Sequence, residues 1–202
     1  MKEDLKPKVI LSDRFVTAVL YATTMHRDQT RKSTTIPYIC HPFGAAASVI
    51  EAGGDEDQMI GALLHDVAED CGGEPRLEDI KKMFGLRVAA IVRGCSDSLV
   101  ASEDKKAPWR ERKDAHLKHL YETSDDILIV TAADKLNNAR AIATDLQTVG
   151  EKVWERFNTD RESILWYYNT MLKILSDRGV TPILLNPLAS AIKIMEGTGE
   201  SQ

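Results

Sequence analysis

The sequence predicts an all-α fold, one helical domain of a size that 202 residues can close around a single core. Apolar residues recur at i, i+3 and i+4 along nearly the whole chain. The interruptions fall at capping residues, glycines and prolines, where helices begin and end. The one strand-like run, Ile127–Val130, continues without a break into alanine-rich helical sequence, so it reads as a buried helix.

Taken in order, Ser12-Asp13 offers an N-cap to a first helix carrying Phe15, Val16, Val19 and Leu20 at helical spacing. His41-Pro42 begins a second, with proline at the first helical position, where no N–H is needed; it runs to Glu51, before Gly53-Gly54. Asp55 caps a third, whose apolar residues are Met59, Ile60, Leu63, Leu64 and Val67, and which continues through Asp70 until Gly72-Gly73 and Pro75 end it. Leu77 to Phe84 is a short helix stopped by Gly85, and Leu86 to Cys95 is another. Residues 97–107 are polar and read as a mobile loop. Pro108 then opens a charged helix to Tyr121, and Ser124-Asp125-Asp126 starts a long one through Asp134 to Leu146. Thr159-Asp160-Arg161-Glu162 has capping-box spacing, ahead of a helix through Trp166, Tyr167 and Leu172. Pro182 and Pro187 bracket a last turn before a terminal helix, and residues 197–202 read as a disordered tail.

Composition narrows the function. The net charge of -5 argues against a generic DNA or RNA binder, which is basic over a whole face. An acidic chain still binds a polyphosphate where its few basic residues converge at one mouth. No apolar run approaches the length of a membrane span, and the start lacks a signal-peptide core. Cys40, Cys71 and Cys95 are odd in number and widely spaced, which fits reduced thiols in a cytoplasmic protein. Cys40 and Cys71 read best as small buried or half-buried hydrophobes.

The chemistry lies in His41, the pair His65-Asp66, and Asp134. Two imidazoles and two carboxylates make a mixed nitrogen/oxygen set suited to a divalent metal with open positions, hence to metal-assisted cleavage of a phosphate ester. On an ideal helix with His65 at zero, Glu69 falls near ~40°, Asp66 near ~100° and Asp70 near ~140°, beside the apolar arc. A solvated charged face accounts for Glu69 and Asp70 but not for His65-Asp66 at the edge of the apolar stripe. His41 alone reads equally as a helix cap or a satisfied core histidine. Asp134, inside an apolar helix, needs a cation, a metal or a hydrogen-bond partner. Asn138 lies one turn further on the same face, with Lys135 and Arg140 flanking. Arg31-Lys32 alone reads as a solvated basic turn.

Several motifs occur in order: His26-x-x-Gln29-x-Arg31-Lys32, Pro37-Tyr38-Ile39-x-His41-Pro42, Ala62-Leu63-Leu64-His65-Asp66-x-x-Glu69-Asp70, Phe84-Gly85 and Ala133-Asp134-Lys135-Leu136-x-Asn138. Together they resemble the hydrolase domain of the Rel/SpoT-type alarmone enzymes, within the HD phosphohydrolase superfamily, over roughly residues 12–145. With no synthetase region in the sequence, the chain is similar to a small alarmone hydrolase.

The resemblance implies an all-α HD fold over residues 1–202, one bound Mn²⁺, and release of the 3′-pyrophosphate of ppGpp or pppGpp to leave GDP or GTP. It implies His41, His65, Asp66 and Asp134 as metal ligands, with Glu69 and Asp70 serving the water and the leaving group. Arg31, Lys32 and Asn138 would contact the nucleotide, with Arg140 and Arg161 as further candidates, and His26 a structural role. Ala141 stands where a threonine often follows the family's last motif, so guanine preference is open and (p)ppApp is an alternative substrate. Residues 103–118 are locally basic and read either as a cover for the pyrophosphate or, somewhat better, as a charged surface helix. Tyr167 and Tyr168 read as packing, or as reaching the nucleotide's 5′ side.

Two rivals remain at this level. One keeps the metal and changes the substrate, to a dNMP, a dNTP or NADPH. The other is a non-catalytic HD module that binds a nucleotide or a partner protein; a degenerate site usually lacks a ligand or the Glu-Asp pair, and this chain has both.

Overall fold

The computed structural model describes residues 9–100 and 107–197. Among these the chain is helical, and the only β pairing is an isolated antiparallel bridge between Thr30 and Pro37. The helices are α1 (Asp13–Met25), α2 (Cys40–Glu51), α3 (Glu56–Leu64), α4 (Val67–Asp70), α5 (Glu74–Phe84), α6 (Leu86–Cys95), α7 (Trp109–Leu120), α8 (Asp125–Val149), α9 (Arg161–Asp177) and α10 (Pro182–Met195). A 3₁₀ segment, Gly150–Arg156, follows α8 directly.

α8 is the axis. α2, α3, α6 and α10 pack against it, which is why Leu128, Val130, Ala132, Ala133, Leu136 and Ala139 are all buried. A fully buried Leu or Ile contributes about 1.5–3 kcal/mol. That gain surrounds Asp134, also buried, whose desolvation costs several kcal/mol unless it is paired.

The start signals hold at Ser12, whose side chain caps α1, and at Asp55, which forms a full capping box with Gln58. Elsewhere the structure differs from the sequence reading. On α1 the buried residues are Ala18 and Ala22, with Phe15 and Val19 half-buried, while Val16 and Leu20 are exposed. The alanines let α1 approach α3 closely, so the apolar stripe turns toward them. α2 begins at Cys40, which puts Pro42 third, and Cys40 is exposed rather than buried. Pro75 does not end a helix but sits in the first turn of α5, after a reversal in which Gly72 and Gly73 take φ of 133° and 70°. Asp160, not Thr159, caps α9, accepting the Ser163 N–H. Pro182 starts α10 and Pro187 lies within it; the hydrogen bond it omits would go to the carbonyl of Ile183, an exposed residue.

The largest departure is at the site. The helix expected to run from Asp55 through Asp70 stops at Leu64 and restarts at Val67. The Ala62 carbonyl, a natural acceptor for the Asp66 N–H, takes a hydrogen bond from His65 Nδ1 at 2.6 Å instead. The break lets two adjacent side chains, which a regular helix would splay by ~100°, aim at one point.

Of the mobile loop read at 97–107, residues 101–106 lie outside the described residues, as do 198–202 of the tail.

Candidate metal centre and its pocket

Four side chains from three segments meet where α2, the α3–α4 break and α8 come together. His41 Nε2 lies 3.2 Å from His65 Nε2. Asp66 Oδ2 is 3.4 Å from the first nitrogen and 3.0 Å from the second. Asp134 Oδ1 is 3.2 and 3.5 Å from the same two atoms. Neighbouring ligands around an octahedral ion with bonds of 2.0–2.1 Å sit about 3 Å apart, so the spacings among His41, His65 and Asp66, whose ligand atoms all lie within 4.8 Å of one another, suit one small divalent cation, with Asp134 facing the same two imidazoles.

The tautomers fit as well. His65 Nδ1–H donates to the Ala62 carbonyl, and His41 Nδ1–H donates to Asn137 Oδ1 at 2.7 Å. Each ring therefore presents Nε2, the atom that faces the cluster, as its electron-pair donor. Burial disfavours protonation of both rings, but Asp134 and Asp66 more than offset it, and both pKa values are raised. Protons and a metal thus compete for the same two nitrogens. Burial raises the two carboxyl pKa values, and this is outweighed by His65 and His41 at Asp66 and by Lys135 and His65 at Asp134, so both stay ionised. Tyr38 donates to Asp66 Oδ2 at 2.6 Å. Lys135 Nζ pairs with Asp134 Oδ2 at 2.7 Å, and Asn138 Nδ2 donates to Asp134 Oδ1 at 2.6 Å.

Asn137 is a site residue that the sequence reading passed over, lying between the motif positions. It depends on Gly44: a Cβ there would sit 2.1 Å from Asn137 Nδ2. Gly44→Ala is expected to swing the amide off His41 while the helix persists. Metal affinity should fall by roughly 10–100-fold, the usual effect of losing an orienting partner, with little change in melting temperature. Titration with metal, alongside thermal unfolding, checks this.

Tyr38, Lys135 and Asn138 also line a pocket of about 310 Å³ that adjoins the cluster. Its wall carries five cations, Arg31, Lys32, Lys113, Lys135 and Arg156, and one carboxylate, Asp145. Arg31 donates to Asn138 Oδ1 at 3.0 Å, and Lys32 to Asn158 Oδ1 at 2.7 Å. Lys113 is held by Asp97, whose backbone N–H donates to Glu69 Oε2 at 2.9 Å. Apolar and aromatic walls come from Trp109, Ile142, Phe157, Ile164, Tyr167 and Tyr168. The Tyr167 hydroxyl is buried without a hydrogen-bond partner among the described residues.

The structure thus gathers His41, His65, Asp66 and Asp134 in one cluster and sets Arg31, Lys32 and Asn138 in the adjoining pocket. Glu69 and Asp70 lie on α4, one turn past the His-Asp break, with Glu69 half-buried and Asp70 exposed. Arg140 is exposed and outside the pocket, because it falls on the opposite side of α8 from Asn138 and Ala141. Arg161 is also elsewhere: it donates to the Met195 carbonyl at 2.9 Å and lies over the Trp154 ring, bracing α9 against α10. Of the basic stretch 103–118, Arg110 pairs with Asp114 on the surface, whereas Lys113 turns into the pocket; Lys105 and Lys106 lie outside the described residues. His26 is buried, donating from Nδ1 to Gln29 Oε1 at 2.6 Å and packing on Tyr38, a structural placement.

A family model described as an HD domain matches residues 18–164. The chain belongs to the HD-domain family. A guanosine-3′,5′-bis(diphosphate) 3′-pyrophosphohydrolase, MESH1, from Drosophila melanogaster is 33% identical over 74% of this chain and 79% of its own length. The MESH1 of Danio rerio is 36% identical over 60% of this chain and 65% of its own. A solved structure, of a metazoan ortholog of SpoT described as hydrolysing ppGpp, superposes with a TM-score of 0.73 and 28% identity, covering 95% of this chain and 99% of that one. The matched residues include His65 and Asp66, at the break between α3 and α4.

Proposed function

We propose that this HD-domain protein is a Mn²⁺-dependent hydrolase that removes the 3′-pyrophosphate of ppGpp and pppGpp. One observation carries the reading: in a chain of net charge -5, five cations converge on a nucleotide-sized pocket beside a two-histidine, two-aspartate cluster. His41, His65, Asp66 and Asp134 would hold the ion, which when bound lowers the pKa of a water and neutralises phosphate charge.

The chain's own groups do the rest. Lys135 and Lys113 stand at the cluster end of the pocket, where fixed cations stabilise charge that builds on the phosphoryl oxygens. Arg31, held by Asn138, presents a planar guanidinium that clamps phosphate or stacks on the base. Tyr38 fixes Asp66 and keeps its own proton, since burial and then Asp66 push its pKa far up. The Glu69/Asp70 pair takes a proton from the attacking water and returns one to the departing 3′-oxygen. Water oxygen bonds to the phosphorus nearest the ribose, the P–O3′ bond breaks, and pyrophosphate and a 3′-hydroxyl result.

The substrate on this reading is a small nucleotide, and the protein works in the cytoplasm without a nucleic-acid or membrane partner. Its three cysteines are free, and no described helix is long and apolar enough to cross a membrane. A nucleotide panel with added Mn²⁺ tests the assignment. Release of pyrophosphate from ppGpp and pppGpp is expected, with dNMPs, dNTPs and NADPH turned over far more slowly. Equal turnover of plain dNMPs would sink the substrate assignment, and tight binding without turnover would favour a non-catalytic module.

A further inference from the structure

We infer that Asp145, braced by Arg156, reads the purine of the substrate and selects guanine over adenine. The inference rests on the nucleotide reading of the pocket and adds the group that chooses the base.

Among the described residues, Asp145 is the only carboxylate in a pocket wall that otherwise carries five cations. A carboxylate beside a phosphate subsite would repel the ligand, so its partner in the bound nucleotide must be a hydrogen-bond donor. Position says which one. Asp145 lies about three turns along α8 from Asp134, ~16 Å, with Asn138, Ala141 and Ile142 between them on the same pocket-facing stripe. With the 3′-diphosphate over the metal cluster, the base reaches this far end. Phe157 and Ile164 there supply the apolar surfaces that a purine ring needs.

Asp145 and Arg156 share one contact, from Nη1 to Oδ2 at 2.5 Å. Neither Asp145 Oδ1 nor Arg156 Nε and Nη2 has another hydrogen-bond partner among the described residues. The pair therefore presents an acceptor beside a donor. Guanine offers the complement: N1–H and the 2-amino group donate, and O6 accepts. Adenine reverses both, with a 6-amino donor facing the guanidinium and an unprotonated N1 facing the carboxylate. Ala141 has no hydroxyl to contribute, so base selection falls to this pair, which the sequence reading did not single out.

The test compares wild type with Asp145→Asn in two assays. One is kcat/KM for ppGpp and for ppApp with Mn²⁺; the other is calorimetric binding of GDP and of ADP. Wild type should favour guanine by roughly 10–100-fold in both, the value of one charged hydrogen-bond pair. Asp145→Asn should erase most of that ratio by losing the guanine ligands, with the adenine values little changed. An equal loss for both purines would show that the pair only braces the wall, and would overturn the inference. Arg156→Gln separates the two again, since a mere brace predicts equal losses there too. If wild type binds GDP over ADP but hydrolyses neither alarmone, the base reader stands and the proposed reaction falls. Equal turnover of both alarmones with no binding preference leaves the reaction standing and removes the base reader.

Discussion

Asp134→Ala is expected to abolish both metal retention and turnover, with activity down by on the order of 10³-fold or more, beyond the 10–100-fold that an orienting partner commands. Asp134 joins the cluster to the pocket: it meets both imidazoles through Oδ1, Lys135 through Oδ2, and Asn138, which in turn receives Arg31. On the proposed reading its loss removes one ligand and one negative charge from a four-group set. It also strands the Lys135 ammonium, whose pKa is raised by Asp134 against a large desolvation penalty. Removing one member of a buried pair costs about 3–5 kcal/mol. Asp97 stays within the electrostatic reach of Lys135, which puts the cost near the low end of that range. For a chain of this size that is a drop in melting temperature of about 6–12 °C. Asp134→Asn serves as the companion variant, since an amide oxygen still accepts from Asn138 while the charge is gone. Metal content after desalting, measured on folded protein of both variants, decides the matter. Full metal occupancy in either would remove Asp134 from the ligand set.

Much of this was legible in the sequence because local signals and the tertiary answer agree. The N-cap at Ser12, the capping box at Asp55 and the alanine-rich run after Val130 each specify a helix by short-range chemistry, and each helix is present. Asp134 announced itself because a carboxylate among apolar residues requires partners. What failed did so where a particular side-chain contact, local at His65 and from far along the chain elsewhere, overrides the periodic rule. The helix through His65-Asp66 breaks because an imidazole captures the Ala62 carbonyl, an event that periodicity does not encode. Asn137 and Gly44 are ordinary residue types whose roles appear only when α2 crosses α8. Arg161 looked available because guanidinium groups suit phosphates, yet a backbone carbonyl of α10 holds it away from the pocket. Lys113 belongs to the basic stretch whose two readings, phosphate cover or surface helix, the sequence leaves open, and nothing local marks Arg156; the fold turns both toward one cavity.

Asp70→Asn is expected to keep the metal and the fold but lose turnover by roughly 10²–10⁴-fold, the range for a positioned acid-base group. Asp70 lies on α4, and its N–H donates to the Asp66 carbonyl at 2.8 Å, so the proposed ligand and the proposed proton carrier share one turn. It is solvent-exposed, and asparagine matches it in shape, so the melting temperature should not move. None of the short contacts among the four ligand atoms involves it, so metal content should not change either. The fall should appear in kcat rather than KM, because the group acts on the proton in flight and not on the bound phosphate. Glu69→Gln provides the contrast. Its carboxylate accepts the Asp97 N–H at 2.9 Å, and Asp97 in turn holds Lys113, so this variant should also disturb a cation of the pocket and raise KM. Unchanged kcat in Asp70→Asn would remove Asp70 from the proton path and leave Glu69 as the sole carrier.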